Sequence, residues 1–271
     1  MSSQHEPALP RPAGEENRPA VAAVVAVAME VEARPFLEAL PLIEEGPALP
    51  TCAGARAWRL ALPEPSSGAD DAGKGSRELV LVNTGIGLVA GAAALATVLT
   101  AVAPQVVISA GTAGGLGHRV GVGDVCASQT LALTDADATA FGYARGQTPG
   151  QPEVFQADEA LLERLAQVGP EALKGATASS GSAHLHTGQM LAGNSFITAA
   201  NVADTREVFP RALSTDMEST ALAQVAAGAG VPFVSVRGVS DLCGPEAGQD
   251  FHIEAQEAAT RSAAVILALL G

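Results

Sequence analysis

A chain of 271 residues with 48% hydrophobic content and no long unbroken apolar span can bury a sizeable core as one α/β domain, without a second full domain. Its formal charge of -14 repels nucleic acid and anionic membranes, so small ligands or protein partners are expected instead. Cys52, Cys126 and Cys243 are too few and too scattered for a disulfide framework or a zinc site, and fit a reducing cytoplasm.

Residues 1–19 carry Pro7, Pro10, Pro12 and Pro19 among polar neighbours and are expected to be a disordered tail, leaving 20–271 as the domain. The apolar stretch Ala20 to Met29 follows Glu6, Glu15 and Glu16 as well as Arg11 and Arg18. It therefore lacks the positive flank of a secretory signal and is expected to hold a first core strand, Val21–Ala28. Glu30 and Glu32 come next, where a helix would begin and where its dipole favours negative charge, so on that ground alone they are ordinary first-turn acids. Pro63 to Arg77 is rich in Gly, Ser, Pro and Asp between two strand-like runs and reads as an exposed loop.

A strand at Leu79–Asn83 leads into the glycine turn Thr84 to Gly87 and a helix near Leu88–Ala101. A strand at Gln105–Ala110 leads into a second glycine turn, Ala110 to Gly115. Neither turn is a dinucleotide or P-loop fingerprint: the first lacks the third glycine and the second lacks the Gly-Lys-Ser/Thr ending. Both offer backbone that a ligand can approach closely. Then follow a strand at Val125–Leu133, a helix at Asp158–Gln167, a loop-like stretch from Gly169 to Gly181, a helix at Met217–Ala227, a strand at Phe233–Val239 and a helix at Ile253–Leu270. Strands alternating with helices imply a largely parallel sheet covered on both faces.

The late segment Leu213 to Asp241 sets Glu218 at the opening of a helix and delivers Ser240 and Asp241 at the carboxyl end of a buried strand. In open α/β sheets, that edge binds ligands. Each acid has a plainer alternative, Glu218 as a first-turn acid and Asp241 as a cap or turn residue. With Glu32 they make three acids at the ends of separate strands. His118, His184, His186 and His252 show no zinc or triad spacing; His184 and His186 share one strand face and are expected to be satisfied or exposed. Ser195 and Ser240 lack the elbow context of an α/β-hydrolase nucleophile. No metal site is expected.

The segments VAMEVEA (27–33), NTGIGLVAGAAA (83–94), ISAGTAGGL (108–116), VGDV (122–125), DADATAFGYARGQTPG (135–150), GNSFI (193–197), DMESTA (216–221) and VRGVSD (236–241) closely resemble the bacterial 5′-methylthioadenosine/S-adenosylhomocysteine nucleosidases of the nucleoside phosphorylase superfamily. The match runs in order from about Val21 to the C-terminus. It implies a single-domain three-layer α/β/α sandwich with a central mixed, largely parallel sheet. It also implies a cytoplasmic homodimer that needs no cofactor and cleaves the bond between adenine and a 5′-thio-substituted ribose. By resemblance Glu32 is the base that activates water, Asp241 the acid that protonates adenine N7, and Glu218 the acceptor for ribose hydroxyls. Met29, Ile86, Met217 and Phe251 match the ribose and alkylthio pocket, and Phe196 and Ile197 the adenine site, with Ser240 beside the acid. Ala138, Phe141 and Pro149 match the segment that closes the neighbouring subunit's pocket.

Departure of adenine leaves an oxocarbenium-like sugar, so two carboxyl groups in different protonation states are needed. An apolar setting from Val236, Val239 and Leu242 is expected to keep Asp241 protonated. The resemblance also marks departures. Thr112 stands where the family carries serine, near the water site, and Asp216 replaces a glutamate. Ser109 stands where the phosphorylases have a phosphate-gripping arginine, which favours water as the nucleophile. The alternatives are a nucleosidase for 6-amino-6-deoxyfutalosine or 5′-deoxyadenosine, a phosphorylase, or a non-catalytic binding protein.

Overall fold

A computed structural model describes residues 18–46, 48–52, 54–63, 77–244 and 253–271. Its strands are β1 (Ala20–Val21), β2 (Ala23–Val27), β3 (Arg56–Ala61), β4 (Glu78–Asn83), β5 (Ala103–Pro104), β6 (Val107–Gly115), β7 (Val125–Leu133), β8 (Phe155–Gln156), β9 (Leu185–Ala192), β10 (Ala212–Asp216) and β11 (Phe233–Asp241). Its α-helices are α1 (Glu30–Ala39), α2 (Leu88–Leu99), α3 (Glu159–Lys174), α4 (Val202–Val208), α5 (Ser219–Gly228) and α6 (Ala255–Leu270).

Nine strands form one mixed sheet in the order β10-β9-β7-β11-β6-β2-β4-β3, with β8 beside β7. The pairs β2–β4, β2–β6, β6–β11, β7–β9 and β9–β10 are parallel, and β3–β4, β7–β11, β7–β8 and β6–β10 are antiparallel. The β6–β10 pairing joins the far strand back to β6, so β6, β11, β7, β9 and β10 close into a ring. β2 is buried along its whole length, as a parallel strand covered on both faces must be. Ala23, Val25 and Val27 face a core with Phe36 of α1, Leu165 of α3 and Ile266 of α6; Val24 and Ala26 face Leu95 of α2 and Leu222 of α5. Period-2 alternation thus produces three layers. Each wholly buried leucine, isoleucine or phenylalanine contributes about 1.5–3 kcal/mol from leaving water.

Several expected boundaries shift. The second glycine turn is strand: β6 continues through Gly111 to Gly115 because β11 pairs alongside it and β10 meets its end. Helix α3 does not stop before Gly169 but runs through Gly169 and Pro170 to Lys174. Buried Leu165 and Leu173 anchor that helix on either side of the pair. Gly169 is also needed for contact, since a Cβ there would lie 2.5 Å from Leu185 Cδ2. Strand β3 occupies the strand-like run before the expected loop, whereas β9, β10 and α4 were not expected. Of the expected tail, 1–17 lie outside the described residues, whereas Pro19 O accepts from Ala103 N at 2.9 Å. Residues 64–76 of the expected loop are also outside them; β3 and β4 flank it.

Candidate active site

The carboxyl ends of β2, β4, β6 and β11 bring Met29, Ile86, Thr112 and Asp241 to one cavity of about 290 Å³. Glu32, Phe196, Ile197, Met217, Glu218 and Ser240 line the same space, as does Ser195. Phe251 lies outside the described residues. Arg237, Asp216 and Cys243 complete the wall.

Glu32 sits in the first turn of α1 and is 1% exposed. Its Oε2 accepts from Ala28 N at 2.9 Å and Met29 N at 3.1 Å, and its Oε1 from Thr112 N at 2.8 Å and Thr112 Oγ1 at 3.0 Å. Residue 111 has to be glycine for this. Its φ is +133°, and a Cβ would fall 2.4 Å from Glu32 Oε1. The methyl that Thr112 adds relative to serine leaves the hydroxyl free to bond the carboxylate.

Glu218 precedes α5 and is buried; its Oε1 accepts from Gly87 N at 2.8 Å, and its Oε2 pairs with Arg237 Nη2 at 3.2 Å. Gly87 holds φ +105°, which turns its N–H into the site. Burial pushes the Glu218 carboxyl above its ordinary range. Arg237 pulls it back, the charges of Asp216 and Glu32 raise it, and the Gly87 N–H lowers it.

Arg237 is the functional residue that sequence reasoning missed. Its signal was present: a cation inside the apolar run of β11 must find partners, because an isolated buried charge is prohibitive. It is fully buried and donates from Nη1 to Thr112 O at 3.1 Å, from Nη2 to Ser109 Oγ at 2.8 Å and from Nε to Ser219 Oγ at 3.1 Å. Burial alone would lower its pKa, but the charges of Asp216, Glu218 and Glu32 raise it above its usual value. Four of its five N–H groups are thereby placed, counting the bond to Glu218. The remaining Nη1 proton belongs to a group that lines the cavity.

An arginine therefore does reach Ser109, from another strand. It is matched by carboxylates, with Asp216 Oδ2 3.5 Å from Nε in addition to Glu218. A phosphate dianion would meet one committed guanidinium among Glu32, Asp216, Glu218 and Asp241, a poor anion site.

Asp241 ends β11. Its Oδ2 accepts from Ser240 Oγ at 2.9 Å and its Oδ1 from Cys243 N at 2.9 Å. This corrects the expected hydrocarbon setting: Val236 and Val239 are spent in the two cores, and the carboxyl group's own partners are polar. Cys243 has φ 59°, the left-handed turn that aims its N–H back at the acid. Burial, then the Asp241 charge, pushes its thiol up to about 12, so it stays a neutral packing group.

The expected partner-directed residues do not line this chain's own cavity. Ala138 is half-buried, Phe141 is 82% exposed at the end of a 3-10 turn, and Pro149 is exposed. The loop is tied to its own core at buried Gly146, beside Ala132 and Phe209, while Phe141 and Pro149 face outward. The histidines stand apart, as expected: His186 Nε2 bonds Asp124 Oδ2 at 2.8 Å, while His184 and His118 are largely solvent-facing. His252 lies outside the described residues. Among the described residues no group of three or more His, Cys, Asp or Glu could hold a metal ion.

The family model described as the phosphorylase superfamily matches residues 22–271. A Staphylococcus aureus 5′-methylthioadenosine/S-adenosylhomocysteine nucleosidase is 37% identical over 195 residues, covering 72% of this chain and 82% of the relative. The solved nucleosidase of that name from Neisseria meningitidis, in complex with methylthio-immucillin-A, is 30% identical with a TM-score of 0.72. The alignment covers 92% of this chain and 97% of that one. The one from Colwellia psychrerythraea, in complex with adenine, is 30% identical with a TM-score of 0.75 and covers 94% and 96%.

Proposed function

The chain belongs to the 5′-methylthioadenosine/S-adenosylhomocysteine nucleosidases of the phosphorylase superfamily, and from that membership we propose that it hydrolyses the N-glycosidic bond of both nucleosides, releasing adenine and the 5′-thio-substituted ribose. The observation that carries this reading is one cavity that holds a carboxylate fixed by four hydrogen bonds, a buried carboxyl group beside an arginine, and a third carboxyl group at the end of β11.

In the proposed reaction the bond from ribose C1′ to adenine breaks and its electron pair leaves with the base. Asp241 donates a proton to adenine N7 as that pair departs, so the leaving group is neutral. Water adds to C1′ from the opposite face and gives its proton to Glu32, which returns to its starting state by losing that proton to solvent as Asp241 regains one. Glu218 accepts hydrogen bonds from the ribose hydroxyls. Arg237 partly offsets the burial of Glu218 and turns its unplaced N–H toward the water. Ser240 holds the acid, and Phe196 and Ile197 flank the base. Met29, Ile86 and Met217 supply the apolar wall that a thioether needs. Protein groups and water account for every step, without a cofactor.

A second copy of the chain is proposed to close that wall with Ala138, Phe141 and Pro149, since an aromatic 82% exposed is the kind of anchor that interfaces bury. The setting proposed is the cytoplasm, in keeping with the free cysteines Cys52, Cys126 and Cys243.

Chromatography of the products from methylthioadenosine tests the reading. Adenine and methylthioribose in phosphate-free buffer are the expected result. Adenine released only when phosphate is added would make the protein a phosphorylase. No adenine in either buffer would remove the proposed substrate.

A further inference from the structure

The floor of the cavity rests on a run of hydroxyl groups that the reaction leaves unused. Ser109, Ser128, Ser219 and Ser235 are all wholly buried beneath the site. Ser109 Oγ lies 3.0 Å from Ser219 Oγ, and Ser219 Oγ lies 2.8 Å from Ser235 Oγ; Ser235 N donates to Ser128 Oγ at 2.8 Å. Arg237 donates to two of these oxygens, at 2.8 Å to Ser109 and at 3.1 Å to Ser219.

A guanidinium only donates, so Ser109 and Ser219 both face it with lone pairs. The hydroxyl protons are shared along the run, which either sense of donation satisfies.

The competing partner is Asp216. Its Oδ1 is occupied by Glu218 N at 2.8 Å and Ser219 N at 2.7 Å, but its buried Oδ2 has no hydrogen-bond partner and stops 3.5 Å from Arg237 Nε. A buried anionic oxygen without a partner is costly, so it attracts the guanidinium. Any swing of Arg237 toward it would draw Nη2 away from Glu218 Oε2 and Nη1 away from Thr112 O, which are 3.2 Å and 3.1 Å away.

We propose that Ser219 is a positioning residue, whose hydroxyl oxygen takes the Nε proton and holds Arg237 off Asp216, keeping Glu218 and Thr112 in register for the sugar and the water. The inference rests on the nucleosidase reading for its catalytic consequence, but not for its geometry.

The test compares Ser219→Ala and Ser219→Cys with the parent protein, in kinetics with methylthioadenosine and in crystal structures. Alanine suits the first turn of α5, and cysteine keeps the volume while removing a strong acceptor, so one variant covers a failure of the other to pack. Both are expected to lower kcat roughly tenfold with KM changed less than about threefold. In both crystals Arg237 Nε should close to hydrogen-bond distance of Asp216 Oδ2 as Nη2 withdraws from Glu218. With Asp216→Asn in the background, the loss from Ser219→Ala should shrink.

An unmoved Arg237, an unchanged kcat in an active enzyme, or an equal loss in both backgrounds would overturn the proposal. If the parent protein released no adenine, the nucleosidase reading would fail, and the position of Arg237 in the variant crystals would still decide the role of Ser219.

Discussion

The floor and the rim of the cavity are built on opposite principles. The floor groups Glu32, Glu218 and Arg237 are each almost fully buried, and their partners come from the junction of β2 and α1, the turn before α2, β6, α5 and β11. No single element could hold them. The rim instead presents Ile86 and Phe196, and the surface loop presents Phe141, all large, apolar and more than half exposed. A reacting centre needs its groups fixed before substrate arrives, because reorganisation during the reaction adds to the barrier. A wall that meets a thioether needs only apolar area, and here that wall is left for the ligand and the proposed second copy to cover.

The sharpest way to break the contrast is to disturb the floor with a single methyl group. Gly111→Ala places a Cβ 2.4 Å from Glu32 Oε1 on a backbone with φ +133°. Displacing the carboxylate should cost roughly 100-fold in kcat/KM, and the strain should destabilise the fold by about 1–3 kcal/mol. Steady-state kinetics and thermal unfolding read both.

A change on the exposed surface loop should act differently. Phe141→Ala removes an exposed aromatic that touches nothing in its own cavity, so the Tm should stay near that of the parent. If the proposed dimer uses it as an anchor, sedimentation equilibrium should show self-association weakened by about 2 kcal/mol, with activity falling on dilution. An unchanged dimer would take Phe141 out of the interface.

The smallest effect is electrostatic and belongs to the floor. Burial, then the neighbouring charges of Asp216 and Glu32, raises the folded-state pKa of Glu218 above its unfolded value, against the pull of Arg237. The folded protein therefore favours the neutral acid. That contribution is complete below the ordinary glutamate pKa and is lost as pH rises through the higher folded value. Glu218→Gln has no proton to lose, so its Tm should decline less than the parent's across that window. Parallel Tm curves would show that Arg237 cancels the burial.

Much of this was legible in the chain. Val21 to Ala28 and Leu79 to Asn83 are apolar and β-branched because both sheet faces are covered, and such runs announce buried parallel strands. Glu218 and Asp241 stand where the ends of their elements were expected. The strands least legible are mixed in character. β3 (RAWRLA), read only as a strand-like run, is a partly exposed edge strand, and β9 (LHTGQMLA) and β10 (ALSTD), which escaped notice, complete the ring with Ser214 and Thr215 buried. Local pattern is weakest where tertiary closure supplies the partners. Arg237 escaped for the same reason, because its meaning depends on Asp216, Glu218, Ser109 and Thr112, residues that lie from 19 to 128 positions away. The polar partners of Asp241 were equally hidden, since the Cys243 N–H reaches it only through a left-handed turn.

The most direct test of the central claim, that Glu32 on this fixed floor activates water, is to titrate Glu32→Gln with methylthioadenosine by calorimetry and assay the same sample for adenine. The account predicts binding within about threefold of the parent's affinity together with a fall in turnover of at least 100-fold. Turnover close to that of the parent would contradict it, and Glu32 would then be a structural acid of α1.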